Sequence, residues 1–479
     1  MSKIANAVIW GTIGQFLRIG LKFSVTVYLA KLLSPNEFGL IGKVSIILAV
    51  LNTLGTFGLS SSLIQKKNVS AVDYSTVFWA NISFGLIFST LLLLCSSLLA
   101  DFYNTPQLTS ITQILSLSII INSFTIVPQT ILIKNLQFKQ LETYTFFANL
   151  LSSLLGLYLA YTGNGVWSLV FQNISSVFFL AGSFWLFEPW KPSFEFDRSS
   201  FKRLSGFGSN MAASGLLDMI FSNLDSILIG KYFSTSIMGF YTYSQSLTKT
   251  ILNVLVGPIF KALFPALSQV QDDNVKLKEA YKKFVGIVNF MVLPAMCFII
   301  VMSEEIITVL LDKKWEGLAQ YLRFFAIISI IYNHCAININ IISAKGKGRL
   351  FFRLEVVKKM ILCGSLLVGF QFGIFGILIS LLIYWLITLG IDVYFSGKVS
   401  EYSWLQQIID LIPNYLIVIF NSMILFTFKY YLFKIEYTIG ILILLTTVNT
   451  LIYLMISYIL RLEALFNVIA LFNKLRKSL

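Results

Sequence analysis

Stretches of about 20 predominantly apolar residues, the length a helix needs to cross ~30 Å of hydrocarbon, recur along almost the whole chain. They fall near 5–31, 39–63, 76–99, 109–132, 143–162, 165–187, 205–230, 238–262, 284–303, 318–342, 355–372, 374–396, 408–428 and 437–459. Thr162 to Gly165 and Gln371 to Gly373 split two nearly continuous runs, as Gly and Asn do at tight turns. The 479 residues are 57% hydrophobic and 12% charged, where a soluble protein carries about 25% charge. A soluble or disordered chain is excluded. The expectation is an all-α polytopic membrane protein of about 14 transmembrane helices. The N-terminal run is long and lacks a small-residue cleavage site, so it reads as the first span rather than a removed signal peptide.

The net charge of +14 admits nucleic-acid binding, but no basic domain stands alone and the cations sit in short loops. Counted on alternate sides of the expected spans, twenty-four Lys and Arg fall on one side and six on the other, with six inside helices. The positive-inside rule then places both termini in the cytoplasm. Cys95, Cys297, Cys335 and Cys363 all lie in apolar segments without a CxxC pair, which suits packing, with no disulfide, metal or cofactor.

The polar segment from Glu188 to Leu204 divides the chain, and its Trp, Pro, Phe and basic residues suit a stretch at the membrane surface. Across it lies an internal repeat. Lys31, Ser34 and Gly39 match Lys231, Ser234 and Gly239 at an offset of 200, each set between two long helices. The expected organisation is two pseudo-symmetric six-helix lobes, 1–187 and 205–397, joined by the linker 188–204 and followed by a final helix pair and basic tail, 398–479. Two similar halves around one cavity is the architecture of alternating-access transporters.

No GxxxxGK[ST] loop is present, and the Ala344 to Arg349 segment has the wrong spacing for one, so the chain is not expected to hydrolyse ATP or to be an enzyme. Glu304 and Glu305, adjacent on a helix, do not face one another as an acid–base pair and read as a solvated helix end. The informative residues lie inside the spans, where a charge is costly and normally faces protein or water. Gln15, Arg18 and Lys22 share one face of the first helix. Lys43, Lys249 and Arg323 are further deep cations; Asn210, Asp218 and Asp225 share a face of the seventh span. His334, the lone histidine, reads as a packed, hydrogen-bonded imidazole, and Lys261 as a lysine reaching the cytoplasmic surface. Asp392 and Asp410 lie near cytoplasmic helix ends. A cavity lined by Arg18, Lys22, Lys43, Lys249 and Arg323 would prefer an anionic substrate such as a phosphate or diphosphate head group. Asp218 and Asp225 are the candidate ion-coupling acids.

Tyr28 to Gly39, Asn223 to Gly230, Met238 to Tyr241, Phe264 to Gln269 and Leu310 to Trp315, in that order and spacing, resemble the polysaccharide-transporter branch of the multidrug/oligosaccharidyl-lipid/polysaccharide exporter superfamily, the Wzx-like O-antigen and capsule flippases. The resemblance runs from the first to the tenth helix; the last four match in hydropathy. It implies movement of an undecaprenyl-diphosphate-linked oligosaccharide from the inner to the outer leaflet of a bacterial inner membrane, through a cation-lined cavity, coupled to a proton or sodium gradient. It maps the Asn-Leu-Asp of the seventh span onto Asn223 and Asp225, and basic residues of the first onto Arg18 and Lys22. A monomer acting beside polysaccharide polymerase machinery would follow. A multidrug/cation antiporter of the same superfamily is the alternative, disfavoured by the surplus of buried cations; a polytopic glycosyltransferase or polymerase is disfavoured by the tiny outer loops.

Overall fold

The computed structural model describes the backbone of residues 2–56, 58–431 and 437–478, and within these the side chains from Trp10 to Ala470 except Phe207, Asn210 and Met211. Among the described residues there are helices and no strand. Eleven helices are long and apolar enough to cross a membrane, or twelve if one bent pair is a single span. Lipid supplies no hydrogen-bond partners, so each spanning segment must satisfy its backbone internally, as a helix does.

The chain divides into two compact units, 1–242 and 243–479. The first holds α1 (Ser2–Leu32), α2 (Pro35–Thr56), α3 (Leu59–Gln65), α4 (Ala71–Leu94), α5 (Ser96–Phe102), α6 (Leu108–Lys134), α7 (Phe138–Tyr161), α8 (Val166–Phe187), α9 (Arg198–Ser222), α10 (Leu224–Tyr232) and the start of α11 (Thr235–Gln269). The second holds the rest of α11, then α12 (Asn274–Leu310), α13 (Leu318–Ala344), α14 (Gly348–Phe370), α15 (Gly373–Ser400), α16 (Trp404–Tyr431), α17 (Ile439–Ile459) and α18 (Glu463–Ser478). The expected spans overlap these helices or broken pairs of them, of which eleven or twelve, not fourteen, have the length and hydropathy of a span among the described residues. The expected turns at Thr162–Gly165 and Gln371–Gly373 are where α7 meets α8 and α14 meets α15.

Among the described residues three of the expected spans are divided into two helices. Gly58, in the left-handed region at φ +64°, separates α2 from α3, and a β-carbon there would meet Gly208 O at 2.2 Å. Cys95 leaves helical geometry between α4 and α5. Asn223, at φ −123°, separates α9 from α10 with a 45° bend, while its side chain caps back onto Met219 O at 2.7 Å. Some helix starts carry side-chain caps. Ser70 and Asp73 form a capping box on α4 (3.2 and 2.8 Å), and Asp197 accepts from Ser199 and Ser200 N–H at the start of α9 (3.1 and 3.0 Å).

The linker expected at the membrane surface is tied into the first unit. Trp79 Nε1 donates to Ser193 O (2.8 Å), Ser193 N to Ser75 Oγ (3.0 Å) and Asp197 N to Thr76 Oγ1 (3.0 Å). Trp190 meets Phe78 edge-on at 5.8 Å, and Phe194 stacks on Trp79 at 5.5 Å. The core of this unit runs from Leu40, Val44 and Leu48 of α2 to Leu108 and Ile111 of α6 and Val170 of α8. In the second unit Phe290 and Leu293 of α12 pack with Ile417 of α16, Tyr453 of α17 and Leu465 of α18. Outward faces are apolar: Ile383 and Leu386 of α15, Leu416 and Phe420 of α16, and Leu451 and Met455 of α17 are exposed. That surface suits hydrocarbon rather than water.

Candidate functional site

The repeat found in the sequence closes on itself within the first unit. Ser34 and Ser234 each precede a helix; Ser34 N and Oγ donate to Glu37 (2.6 and 2.9 Å), and Ser234 Oγ accepts from Ile237 N (3.3 Å). The two turns then meet backbone to backbone. A β-carbon on Gly39 would lie 1.8 Å from Thr235 O, and one on Gly239 would lie 1.9 Å from Pro35 O. Residues 35 and 235 are themselves related by the offset of 200, so the contact is reciprocal. Only glycine allows this approach, which gives the repeated glycine a physical reason.

Lys43 sits one helical turn beyond Gly39 and is 2% exposed. Its ammonium donates to Thr105 Oγ1 and Thr235 Oγ1, both at 3.1 Å, and lies 5.5 Å from the centre of the Tyr103 ring. Two hydroxyls and a ring face solvate this charge.

Arg18 and Lys22 depart from α1 where it packs on α7. Gly14 lets Glu142 approach, since a β-carbon there would fall 2.4 Å from Glu142 Cβ. One turn on, Arg18 Nη1 pairs with Glu142 Oε2 at 3.1 Å. Lys22, a further turn along, is exposed and Gln15 is half-buried. Of the candidate acids, Asp218 is exposed, whereas Asp225 is buried and accepts a hydrogen bond from Tyr241 Oη. Asn223 caps α9 as described, and the side chain of Asn210 lies outside the described residues.

In the second unit Lys249 is exposed on α11. Arg323 donates to Glu304 Oε1 (3.0 Å) and Ser303 Oγ (3.1 Å) in an ion pair whose side chains are 41% and 62% exposed, so it is a surface contact of small energy. The neighbouring Glu305 pairs with Lys429 at 2.8 Å. His334 is packed against Asn289, ring Nδ1 to Nδ2 3.2 Å, in keeping with its apolar sequence context.

The sequence reading missed the strongest polar cluster of this unit. Lys358, counted there with the loop cations although it falls within the expected span, is 5% exposed on α14, which begins at Gly348. Its ammonium lies 3.2 Å from Asp392 Oδ1 and 2.5 Å from Glu355 Oε1. Asp392, eight residues before the end of α15, is fully buried. A signal was available: Tyr384, Thr388, Asp392, Ser396 and Ser400 repeat at every fourth position of an otherwise apolar helix, and all are buried. Among the described residues no group of three His, Cys, Asp or Glu side chains is placed to hold a metal.

Residues 28–320 match the family model described as "Polysaccharide biosynthesis protein". The lipopolysaccharide biosynthesis protein WzxC of Escherichia coli strain K12 is 24% identical over 424 residues, covering 86% of this chain and 85% of that protein. The succinoglycan biosynthesis transport protein ExoT of Rhizobium meliloti strain 1021 is 23% identical, over 86% of this chain and 81% of its own length. Among solved structures, the lipid II flippase MurJ in an inward closed conformation superposes with a TM-score of 0.74 at 16% identity, over 94% of this chain and 98% of that one. An inward-facing multidrug resistance transporter of the MATE family gives 0.61 at 15% identity, over 83% and 99%. A multi-pass helical chain with these relatives and this fold is a membrane transport protein rather than an enzyme, and it belongs to the polysaccharide biosynthesis protein family, on the fold of the multidrug/oligosaccharidyl-lipid/polysaccharide superfamily.

Proposed function

We propose that this chain moves a lipid-linked oligosaccharide, a repeat unit of O-antigen, capsule or exopolysaccharide carried on undecaprenyl diphosphate, from the cytoplasmic to the outer leaflet of a bacterial inner membrane. It does so by alternating access, as a monomer with both termini in the cytoplasm. The observation that carries this reading is the setting of cations inside the first spans of a chain kin to polysaccharide transport proteins: Arg18 and Lys22 on one face of α1, and Lys43 buried in α2. A diphosphate is the anion such groups bind through charge-assisted hydrogen bonds. Lys22 is exposed and Arg18 is one-third exposed despite its pairing with Glu142, so both are open to a ligand, and Lys249 is the exposed candidate of the second unit. Arg323, engaged at a surface ion pair, takes the least part.

The test is deletion of the gene in its host. The expected result is loss of surface polysaccharide with lipid-linked single units held on the cytoplasmic leaflet, restored by the parent gene and not by the Arg18→Ala, Lys22→Ala double variant expressed at the same level. Normal surface polysaccharide in the deletion strain, with increased sensitivity to cationic drugs, would replace this reading by the multidrug antiporter.

A further inference from the structure

A cavity of ≈ 280 Å3 lies where α12, α16 and α18 of the second unit come together. Its polar lining is Lys282 of α12, Asp410 and Asn414 of α16, Arg461 of the turn before α18, and Glu463 and Asn467 of α18. At ~30 Å3 per water it has room for about nine waters, the bulk of a small polar head group rather than of an oligosaccharide. Charges of both signs line it. Lys282 Nζ lies 3.2 Å from Asp410 Oδ2 and 4.0 Å from Glu463 Oε2, and Tyr402 Oη donates to the same Asp410 oxygen at 2.7 Å. The side chains of Lys282, Asp410 and Glu463 are 39%, 31% and 66% exposed, so these ion pairs are weak and leave their members open to a ligand. A bare anion entering here meets two carboxylates, and a bare cation meets two cations. A zwitterion matches both.

Asn414 says more about the positive end of such a ligand. It stands one turn beyond Asp410 on the same face of α16 and is 2% exposed. Among the described residues no group donates to its Oδ1. A buried amide oxygen is destabilising without a donor, which a bound molecule can supply. Asn414 Oδ1 and the carboxylates of Asp410 and Glu463 make three acceptors on one cavity, and a primary ammonium has three N–H to give. The negative end has Arg461. That residue is in the left-handed conformation, φ +49°, which glycine favours at the close of a helix, and its N–H caps Tyr458 O of α17 at 3.1 Å. Its side chain is exposed, and a guanidinium is a strong partner for phosphate oxygens.

The rim is apolar and faces outward. Ile409 and Leu460 are exposed, and beyond them run the exposed apolar faces of α16, at Ile412 and Leu416, and of α17, at Met455 and Leu451. Trp404 and Tyr458, exposed within two turns of the rim on the same two helices, mark head-group depth, where Trp and Tyr gather. A polar cavity at that depth beside a hydrocarbon-facing surface suits a lipid, which carries both parts, over a soluble zwitterion.

We infer that this cavity binds a phospholipid of the surrounding leaflet whose head group is a phosphodiester bearing a primary ammonium. The ammonium donates to Asn414 Oδ1, Asp410 and Glu463, the phosphate accepts from Arg461, and the acyl chains lie along the outward faces of α16 and α17. The lipid thereby ties α18 to α16. It is a component of the bilayer rather than the transported molecule, so the site stands independently of the transport reading.

The test is native mass spectrometry of the full chain, released from detergent micelles holding equal amounts of phosphatidylethanolamine, phosphatidylcholine and phosphatidylglycerol. Phosphatidylethanolamine should be retained about tenfold over phosphatidylcholine, whose trimethylated nitrogen has no N–H to give, and over phosphatidylglycerol, which has no cation. Asn414→Leu and Glu463→Gln should each reduce that preference, Arg461→Gln should weaken retention of phosphatidylethanolamine and phosphatidylcholine alike, and Lys67→Gln, at an exposed position of the first unit, should change nothing. Melting temperatures of the lipid-stripped variants check their fold, and the exposed Glu463 carries the test if Asn414→Leu does not fold. Equal retention of the three lipids, a preference for phosphatidylglycerol, or a preference untouched by the substitution at Glu463 overturns the site. Binding of soluble glycerophosphoethanolamine with no phospholipid retained overturns its assignment to a lipid.

Discussion

Lys43 and Lys358 are both buried in helices of this chain, one in each unit, and they are solvated in opposite ways. Lys43 is held by two threonine hydroxyls and a tyrosine ring; Lys358 is held by two carboxylates. Hydroxyl groups solvate an ammonium without cancelling its charge. Carboxylates cancel it. The first arrangement leaves a positive field beside the junction of the repeat, suited to an anion. The second makes a buried ion pair whose charge is compensated on the spot. Burial alone therefore does not say what an intramembrane lysine is for; the identity of its partners does.

The largest effect expected on this comparison comes from the backbone contact that positions Lys43. Gly39→Val puts a branched side chain where Thr235 O stands 1.8 Å from the β-carbon position, in backbone that cannot give as a flexible side chain does. The two repeat turns must separate, Thr235 must leave Lys43, and complementation of surface polysaccharide should be lost. Gly239→Val, against Pro35 O, should do the same. Wild-type polysaccharide from either variant would mean that the junction opens without consequence.

Next in size is Lys358→Met. Removing one partner of a buried ion pair typically costs about 3–5 kcal/mol because the remaining charge is left uncompensated. A clear fall in thermal stability in detergent is expected, and most of it should return in the Lys358→Met, Asp392→Leu double variant, which removes the charge with its partner. Lys43→Met should behave in the opposite sense. With no carboxylate among the contacts described above, the substitution removes a desolvated charge and should leave stability unchanged or raised by about 1 kcal/mol, while polysaccharide export falls. A loss of stability at Lys43 equal to that at Lys358 would erase the distinction between the two sites.

The sequence made the fold class plain, because apolar runs of bilayer length recurring along a whole chain suit membrane spans and little else. The match at an offset of 200 picked out the two turns Pro35–Gly39 and Thr235–Gly239, but not that they touch. The individual cations were less legible. Arg18 lies on the predicted face of α1, but its partner Glu142 comes from α7, 124 residues away, and no local spacing reports such a pairing. Lys358 lies in the first turn of the expected span at 355–372, among Arg349, Arg353, Glu355 and Lys359, and so groups with the orienting cations of the preceding loop; no local spacing reports that it turns to Asp392 on α15. The polar stripe of α15 was readable at a period of four, but a search for charges picks out Asp392 from it and passes over the hydroxyls.

The smallest effect concerns the joint between linker and helix, outside the membrane. Hydrogen bonds from the side chains and N–H groups of Ser199 and Ser200 hold the Asp197 carboxyl well below its ordinary value of 3.8. A depressed carboxylate contributes stability that is fully present above its unfolded-state value and fades as pH falls through its folded-state value. The start of α9 should therefore stay closed at neutral pH and loosen only in acid well below pH 4. Hydrogen exchange at residues 198–202 reports this opening directly. Asp197→Asn keeps a side-chain acceptor at the N-cap and should remove the acid dependence while leaving protection at pH 7 nearly unchanged, since Asn caps about as well as Asp. Asp197→Ala should raise exchange at every pH. Equal acid sensitivity in the parent and Asp197→Asn would place the titrating group elsewhere; it would also show that the linker is held on α4 by Ser193 and Trp79 rather than by the cap.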